Sequence, residues 1–589
     1  MRIDDLALLS DCRTAALSDR RGTICWFSPG RFDRPSIFGA LLDDEAGHWT
    51  IGPRGATAVQ RRYVDDGPVL ETTFRTDAGE VTLTDALVLA EGTRGHEIGG
   101  TEETHLVRRA QCLRGEMEVE VDLAARPEYG LTRPHLSETG DGWELIGGPV
   151  PLRLVTSVPH RSDGDRLRAS ITLRAGESAE WVLAAGTPDG RSAEAALRDT
   201  ADGWRSWAAN HPRLPGPRGD AVRRSAMVLQ ALTHAPSGVV IAAPTTSLPE
   251  RIGQEWNWDY RFAWLRDLSF VARALWVASC PDEPVRYLDW ITRAVGRLED
   301  KDNVQIMFGV EGERDLSEHT LEHLAGFRGS RPVRIGNDAW SQRQLDVLGE
   351  VLDSAHVMRE YLDDPVTGPM RELLIGLANR AASDWRDPDF GMWEARDKAR
   401  HYLSSKVMCW VALDRAVRLA PRLGASERVD EWARERDAVR TTVLEDGWNH
   451  DVQAFTGAIG SDELDASVLL MPLVGIVDGE DERMRATVER IEERLASDRG
   501  VQRWADEGSA FVLCGFWLAE CLALGGQTER AEERFSATAS AANDLGLMAE
   551  EVSLDSGEPL GNFPQALSHV GLINAAWRLT EASKGSDPE

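Results

Sequence analysis

Over roughly the first 200 residues, apolar and polar positions alternate in short runs. VTLTDALVLA (81–90), HLVRRAQCLRGEMEVEVDLAA (105–125), PLRLVTSV (151–158), RLRASITLRAG (166–176) and AEWVLAAG (179–186) all show it, with Gly, Asp and Pro clusters between them. A period of two marks strands with one buried face, and the close spacing predicts an antiparallel β-sandwich over residues 1–205. NHPRLPGPRGD, residues 210–220, is a Pro/Gly-rich connector within a linker expected over 206–220. Beyond it apolar residues recur at three- and four-residue steps. That period predicts helices over 219–234, 265–279, 284–298, 341–361, 368–385, 403–420, 426–445, 481–496, 510–525, 528–543 and 564–582. So many helices must close on one another to bury their apolar stripes. A solenoid would repeat at a fixed period, and the sequence shows no such repeat. The loops between the helices are long, unlike one another, and rich in Trp, Arg, Asp and Glu. They suit a double-ringed α/α barrel over 221–583 with a pocket at one end, which makes the fold class α+β and multidomain.

Composition narrows the function. With 589 residues and 42% hydrophobic positions, the chain has ample material for a core in each of two domains. A net charge of −31 argues against a nucleic acid partner and an anionic membrane surface. No run of about 18 apolar residues predicts a membrane span. The start, MRIDDLALLSDCRTAALSDRRG, lacks the basic-then-apolar pattern of a signal peptide. Cys12, Cys25, Cys112, Cys280, Cys409, Cys514 and Cys521 are scattered, odd in number and without a CxxC pair. They fit a reducing cytoplasm. Lysine occurs only at Lys301, Lys398, Lys406 and Lys584, so almost all basic charge is arginine.

Three stretches carry candidate chemistry. EWNWDYRFAWLRDLSF (255–270) sets Trp256, Trp258, Tyr260, Phe262 and Trp264 on alternate positions before Arg266 and Asp267. One or two such rings would read as core packing. Five, followed by a cation and an anion at a helix start, suit a sugar: rings meet its C–H faces and the charged pair its hydroxyls. GMWEARDKARHY (391–402) puts Glu394 directly after Trp393 in an interhelical loop. An aromatic neighbour desolvates a carboxyl, as a general acid requires, although a capping or salt-bridged glutamate beside Arg396 and Arg400 reads equally well. LGLMAEEVSLDSGEPLGNFPQALSHVGL (545–572) carries Glu550 and Glu551 between Met548 and Val552, so at least one is expected to point inward. Asn562, Gln565 and His569 follow, His569 reading as a structural histidine. Two carboxyls from distant loops with an aromatic wall are the minimum for glycoside hydrolysis, and their separation decides inversion or retention. No HExxH motif or paired-histidine spacing appears, so no metal or cofactor is expected.

These motifs resemble glycoside hydrolase family 15, the glucoamylase and bacterial trehalase family. WNWDYRFAWLRDLSF is similar to its W-D-Y-R-x-x-W-x-R-D-x-S-F signature. DLALLSDCRTAALSDRRGTICWFSPGRFDRPSIFGALL, GFRGSRPVRIGN, GMWEARDKARHYLSSKVMCWVALDRA, EGSAFVLCGFWLAECLAL and AEEVSLDSGEPLGNFPQALSHVGLINAA resemble other blocks in order. The resemblance implies a β-sandwich, a linker and an (α/α)6 barrel. It also implies an inverting exo-hydrolase that releases β-glucose from a non-reducing end of a small oligosaccharide. By motif position Glu394 matches the general acid and Glu550 the general base, expected to stay ionised near neutral pH. Arg266 and Asp267 match the residues that hold the terminal glucose. Tyr260 and Trp264 match aromatic walls of that subsite, Trp258 and Trp393 are further candidate substrate-binding residues, and Arg503 matches an acceptor-side arginine. The segment CWFSPGRFD and the residues Asp338 and Trp340 depart from the family pattern and bear on the acceptor sugar. α,α-Trehalose is the leading substrate, with α-1,4- or α-1,6-glucosides as alternatives. An inverting phosphorylase and a non-catalytic sugar-binding protein are readings of other classes, and a homo-oligomer is compatible with all of them.

Overall fold

A computed structural model describes residues 1–54, 57–65, 67–211, 213–278, 282–296 and 303–584. Cys280, Lys301 and the last residues of the helices expected at 265–279 and 284–298 lie outside the described residues. The N-terminal region is antiparallel sheet, organised by one 21-residue strand, Thr104–Ala124. Its first half pairs with Gly79–Leu87 and Ser178–Ala185, its second with His48–Pro53 and Arg166–Arg174. Each alternating run noted in the sequence forms a strand here. Three others, Ala7–Ser10, Ala15–Ser18 and Thr23–Phe27, are buried at every residue. They lack alternation because neither face meets water: their loops run into the helical region. Ser10 Oγ donates to the Ala231 carbonyl at 2.6 Å, Ala235 N to the Cys12 carbonyl at 2.6 Å, and Trp26 Nε1 to the Pro244 carbonyl at 2.7 Å.

A helix follows the last strand of the sheet region. Helix α1, Ala193–Ala209, occupies the stretch expected to end the sandwich and begin the linker. Ser192 caps it by accepting from Ala195 N, and Trp204 and Trp207 bury one face. The remaining helices are α2 Gly219–Ala231, α3 Leu265–Val277, α4 Asp282–Val295, α5 Asp346–Val357, α6 Gly368–Asp384, α7 Leu403–Leu423, α8 Val429–Asp446, α9 Leu470–Val474, α10 Glu482–Leu495, α11 Val512–Leu524, α12 Thr528–Ala539 and α13 Ala566–Lys584. The helix expected over 341–361 is shorter, with 3-10 turns at Asp338–Ser341 and Arg359–Tyr361 around α5. Contacts run from α3 to α5, α7, α9, α11, α13 and back to α3, closing a ring. Helices α2, α4, α6, α8, α10 and α12 each pack against a member of it. No helix among the described residues is long and apolar enough to cross a membrane.

The segment before α3 joins the two regions. Its even positions carry aromatic rings; its odd positions anchor it. Asn257 receives Arg334, and Asp259 accepts from Gly336 N at 3.1 Å. Arg261 forks onto Asp259 at 2.8 and 2.6 Å and donates to the Arg34 carbonyl at 3.0 Å and to Tyr129 Oη at 2.9 Å, both in the sheet region. Asp259 and Arg261 are almost fully buried. A charge pair taken out of water is tolerated only while both partners remain, and losing one strands the other at a cost of about 3–5 kcal/mol. Arg261→Ala should therefore lower the thermal midpoint by several degrees and depress any activity at the adjoining cavity, measured by calorimetry and turnover on the same preparation.

Candidate active site

The segment's aromatic face borders a cavity of about 970 Å³, a volume at the upper end for small-molecule sites. Tyr260 and Trp264, one above the other, have ring centroids 5.6 Å apart in an edge-to-face arrangement. Each holds a different carboxyl: Trp264 Nε1 donates to Glu394 Oε1 at 2.7 Å, and Tyr260 Oη donates to Glu550 Oε1 at 2.7 Å. Two acids from loops far apart in sequence are thus fixed to neighbouring rings of one rigid segment. Burial and the charge of Glu550 push the Tyr260 phenol well above its usual range, so it stays a donor. Two guanidiniums stack on the Trp258 ring, Arg334 at 4.5 Å and Arg396 at 4.4 Å from its centroid. Asn562 donates to the Trp258 carbonyl at 2.9 Å.

Glu394 sits in a tight loop with φ of 58°, a left-handed backbone unusual for a residue with a side chain. Its neighbour Trp393 is anchored, with Nε1 donating to Asp465 Oδ1 at 2.9 Å and its ring against Phe511. Arg266 Nη2 adds a second donor to Glu394 Oε1 at 3.0 Å, while Nη1 is held by Gln344 at 3.0 Å and Asp346 at 3.1 Å. Arg266 therefore ties the Glu394 loop to the start of α5. Glu394 Oε2 has no protein donor among the described residues.

Asp267 lines the cavity beside Arg266, and its carboxyl is hydrogen-bonded by its own backbone N–H. Burial pushes its carboxyl up to about 7, with Glu394 adding to the rise and Arg266 opposing it.

Glu550 directly precedes the middle strand of a three-stranded unit, Ser509–Phe511, Glu551–Ser553 and Pro559–Leu560. Successive residues there face opposite ways. Glu550 lines the cavity, whereas Glu551 is fully buried and pairs with Arg503 at 2.7 Å. The second oxygen of Glu550 is buried without a donor. It abuts Gly561, whose φ is 76° and where a Cβ would come within 2.6 Å of that oxygen. Contrary to the expectation of a readily ionised group, Glu550 is pushed well above the usual carboxylate range. Burial is the main cause and Glu250 adds to it, while Arg503 and the Tyr260 hydroxyl oppose it.

Arg503 is also buried in this wall. Its Nε donates to Glu507 at 2.5 Å and its Nη2 to both Glu250 and Glu551 at 2.7 Å. Nη1 has no protein partner among the described residues. Sequence reading missed Glu250, Glu507, Asp346 and Asp465; only Glu250, a charge at the end of the uncharged run VVIAAPTTSLPE, carried a visible signal. His569 is structural: it contacts Ser225 and accepts from Met548 N, and burial pushes it down to about 3. Residues 25–33, Asp338 and Trp340 are not among the described residues that line the cavity.

An aromatic wall with a carboxyl held at each of two neighbouring rings is what cleavage of a glycosidic bond calls for, and comparison with known proteins places the chain among the glycoside hydrolases. Residues 216–577 match the model of Glycosyl hydrolases family 15, and residues 1–207 match Trehalase-like, N-terminal. The chain belongs to glycosyl hydrolase family 15. It is 35% identical to a protein named trehalase from Mycobacterium tuberculosis, over 99% of this chain and 90% of the relative. A protein of the same name from Mycolicibacterium smegmatis is 34% identical over 99% of this chain and 92% of its own length. Among solved structures, a bacterial glucoamylase complexed with acarbose aligns with a TM-score of 0.73 at 12% identity, covering 99% of this chain and 94% of that one. At that identity the likeness is one of fold: an antiparallel sheet region followed by a helical domain.

Two predictions follow from this geometry. Gly561→Ala should displace the Glu550 carboxyl and cut kcat at least tenfold with a smaller change in KM, read from steady-state kinetics beside a circular dichroism control. Asp267 titrates near 7 when folded and at an ordinary aspartate value when unfolded. Between those values the folded state keeps a proton that the unfolded state releases, so stability falls as pH rises through the window. Asp267→Asn should therefore be more stable than the parent at pH 8, with the gain fading by pH 4, in urea titrations at both pH values.

Proposed function

We propose that this chain hydrolyses α,α-trehalose with inversion, on an (α/α)6 barrel formed by the closed helical ring and its outer partners. The observation that carries the reading is the pairing of Trp264 with Glu394 and of Tyr260 with Glu550 in one cavity. In this reading Glu394 is the general acid. Trp264 and Arg266 fix its Oε1, which leaves Oε2 to deliver a proton to the glycosidic oxygen. Glu550 is the general base and removes a proton from the water that attacks the anomeric carbon on the opposite face. Asp267 accepts from hydroxyls of the terminal glucose, and the unpartnered Nη1 of Arg503 donates to the sugar. Tyr260, Trp264, Trp258 and Trp393 wall the site. The full-length relatives named trehalase support trehalose as the substrate over maltodextrins. Among the described residues, the buried and free Cys12, Cys25, Cys112, Cys409, Cys514 and Cys521 support a reducing compartment such as the cytoplasm.

Proton NMR of fresh reactions with trehalose, maltose, isomaltose and a maltodextrin, with and without phosphate, tests the proposal. β-Glucose should appear first, from trehalose, at equal rates in both buffers. Preferred turnover of another glucoside would replace the substrate, and a glucose phosphate formed only with phosphate would replace the reaction. Glu394→Gln and Glu550→Gln should each lower kcat by at least about 100-fold, the scale of losing a positioned acid or base. Near-native activity in Glu550→Gln with loss in Glu551→Gln would move the base by one residue.

A further inference from the structure

Arg503 is asked to neutralise more charge than it carries. Glu250, Glu507 and Glu551 all contact it, and each is nine-tenths or more buried, as is Arg503. Its donors are unequally distributed. Nε and the backbone N–H go to Glu507, at 2.5 and 2.8 Å. Nη2 is shared by Glu250 Oε2 and Glu551 Oε1, both at 2.7 Å. Among the described residues nothing from Arg503 hydrogen-bonds Glu550, whose one side-chain donor there is Tyr260. The positive charge of Arg503 therefore acts on Glu550 through space, and its field there is offset by those of the acids around it.

Glu250 is fixed for this role by the backbone. Its N–H donates to the Trp256 carbonyl at 2.8 Å, and the preceding Pro249 carbonyl accepts from Gly561 N at 2.9 Å. The Glu250 turn, the aromatic segment and the glycine packed against Glu550 thus form one connected unit.

We infer that Glu250 is a positioning residue which, by sharing Arg503 Nη2 with Glu551, sets how much of that guanidinium's charge reaches Glu550 and hence the pH at which Glu550 gains its proton. The inference rests on Glu550 being the general base. Among the described residues the groups facing Glu550 are Tyr260, Asp267, Glu250, Glu551 and Arg503; those facing Glu250 are Arg503, Tyr260, Glu550, Glu551 and Glu507. Removing the negative charge of Glu250 leaves Arg503 less compensated. Glu550 then ionises at lower pH, and the acidic limb of kcat/KM moves the same way. The burial-driven rise of Glu550, to which Glu250 contributes, has the matching sign.

The test is the pH profile of kcat/KM for Glu250→Gln and Glu250→Asp beside the parent, with trehalose or whichever α-glucoside the parent cleaves. The Gln variant should move the acidic limb down by about one pH unit, the size expected for loss of a nearby like charge. The Asp variant keeps the charge and should hold the limb near its parental position even if its rate is lower. A limb unmoved in a folded Gln variant, or equal losses in both variants at every pH, overturns the inference. Should Glu250→Gln not fold, Glu551→Gln removes the other acid on the same Nη2 and should give the same downward shift. If the parent cleaves no glucoside, the proposed function fails while this inference is still tested by calorimetric titration with 1-deoxynojirimycin. Its ammonium requires an ionised carboxylate, so the pH at which its binding is lost should fall in Glu250→Gln, and an unchanged pH overturns the inference.

Discussion

The buried fork between Asp259 and Arg261 fixes the segment on which both cavity acids depend. Because Arg261 also reaches Arg34 and Tyr129, the sheet region determines where that segment lies. With the odd positions pinned, Trp256, Trp258, Tyr260 and Trp264 line the cavity, while Phe262 is buried and does not. Tyr260 and Trp264 then offer one donor each, and the acids from the 391–402 and 545–561 loops take their places by accepting them. The sheet region acts on the cavity through this anchor; its residues 25–33 are not among those lining it.

Electrostatics follows from that placement. The most deeply buried charged residues lining the cavity are Glu250, Asp267 and Glu550 against Arg266 and Arg503, with Glu394 less buried. Such a wall would bind an anion poorly. It is suited to a glucosyl group that develops positive charge at its anomeric carbon, where fixed negative groups lower the barrier without reorganising. Burial, and after it this crowding of carboxyls, raises Asp267 and Glu550. Part of the molecule's stability is given up to keep carboxyls close together in a dry place.

Some of this was legible in the sequence. The alternating runs became strands because one face of each meets water, and the helical period survived in every predicted helix. Glu394, Glu550 and the aromatic segment stood out through local context, an acid after Trp393 or between Met548 and Val552. What stayed hidden depends on three-dimensional partners. Arg266 reads as a hydroxyl clamp beside Asp267, yet it holds Glu394, Gln344 and Asp346. Arg503 reads as an acceptor-side residue, yet it sits among three acids. Helix α1 escaped notice because its tryptophans are spaced among polar residues at the end of a strand-rich stretch. The first three strands lacked alternation because both of their faces are covered.

The hydrogen bond from Tyr260 to Glu550 spans 290 residues, and α13, residues 566–584, packs against both α2 and α3 to close the ring. During synthesis the sheet pairings, all within residues 7–185, can form early. The ring cannot close until its last helix has left the ribosome. Through that interval the loops that later meet the helical region have no cover, and the nascent chain presents apolar surface next to half-built helices. The cavity is thus among the last parts of the molecule to exist. The newly made protein has no closed cavity until synthesis has passed α13.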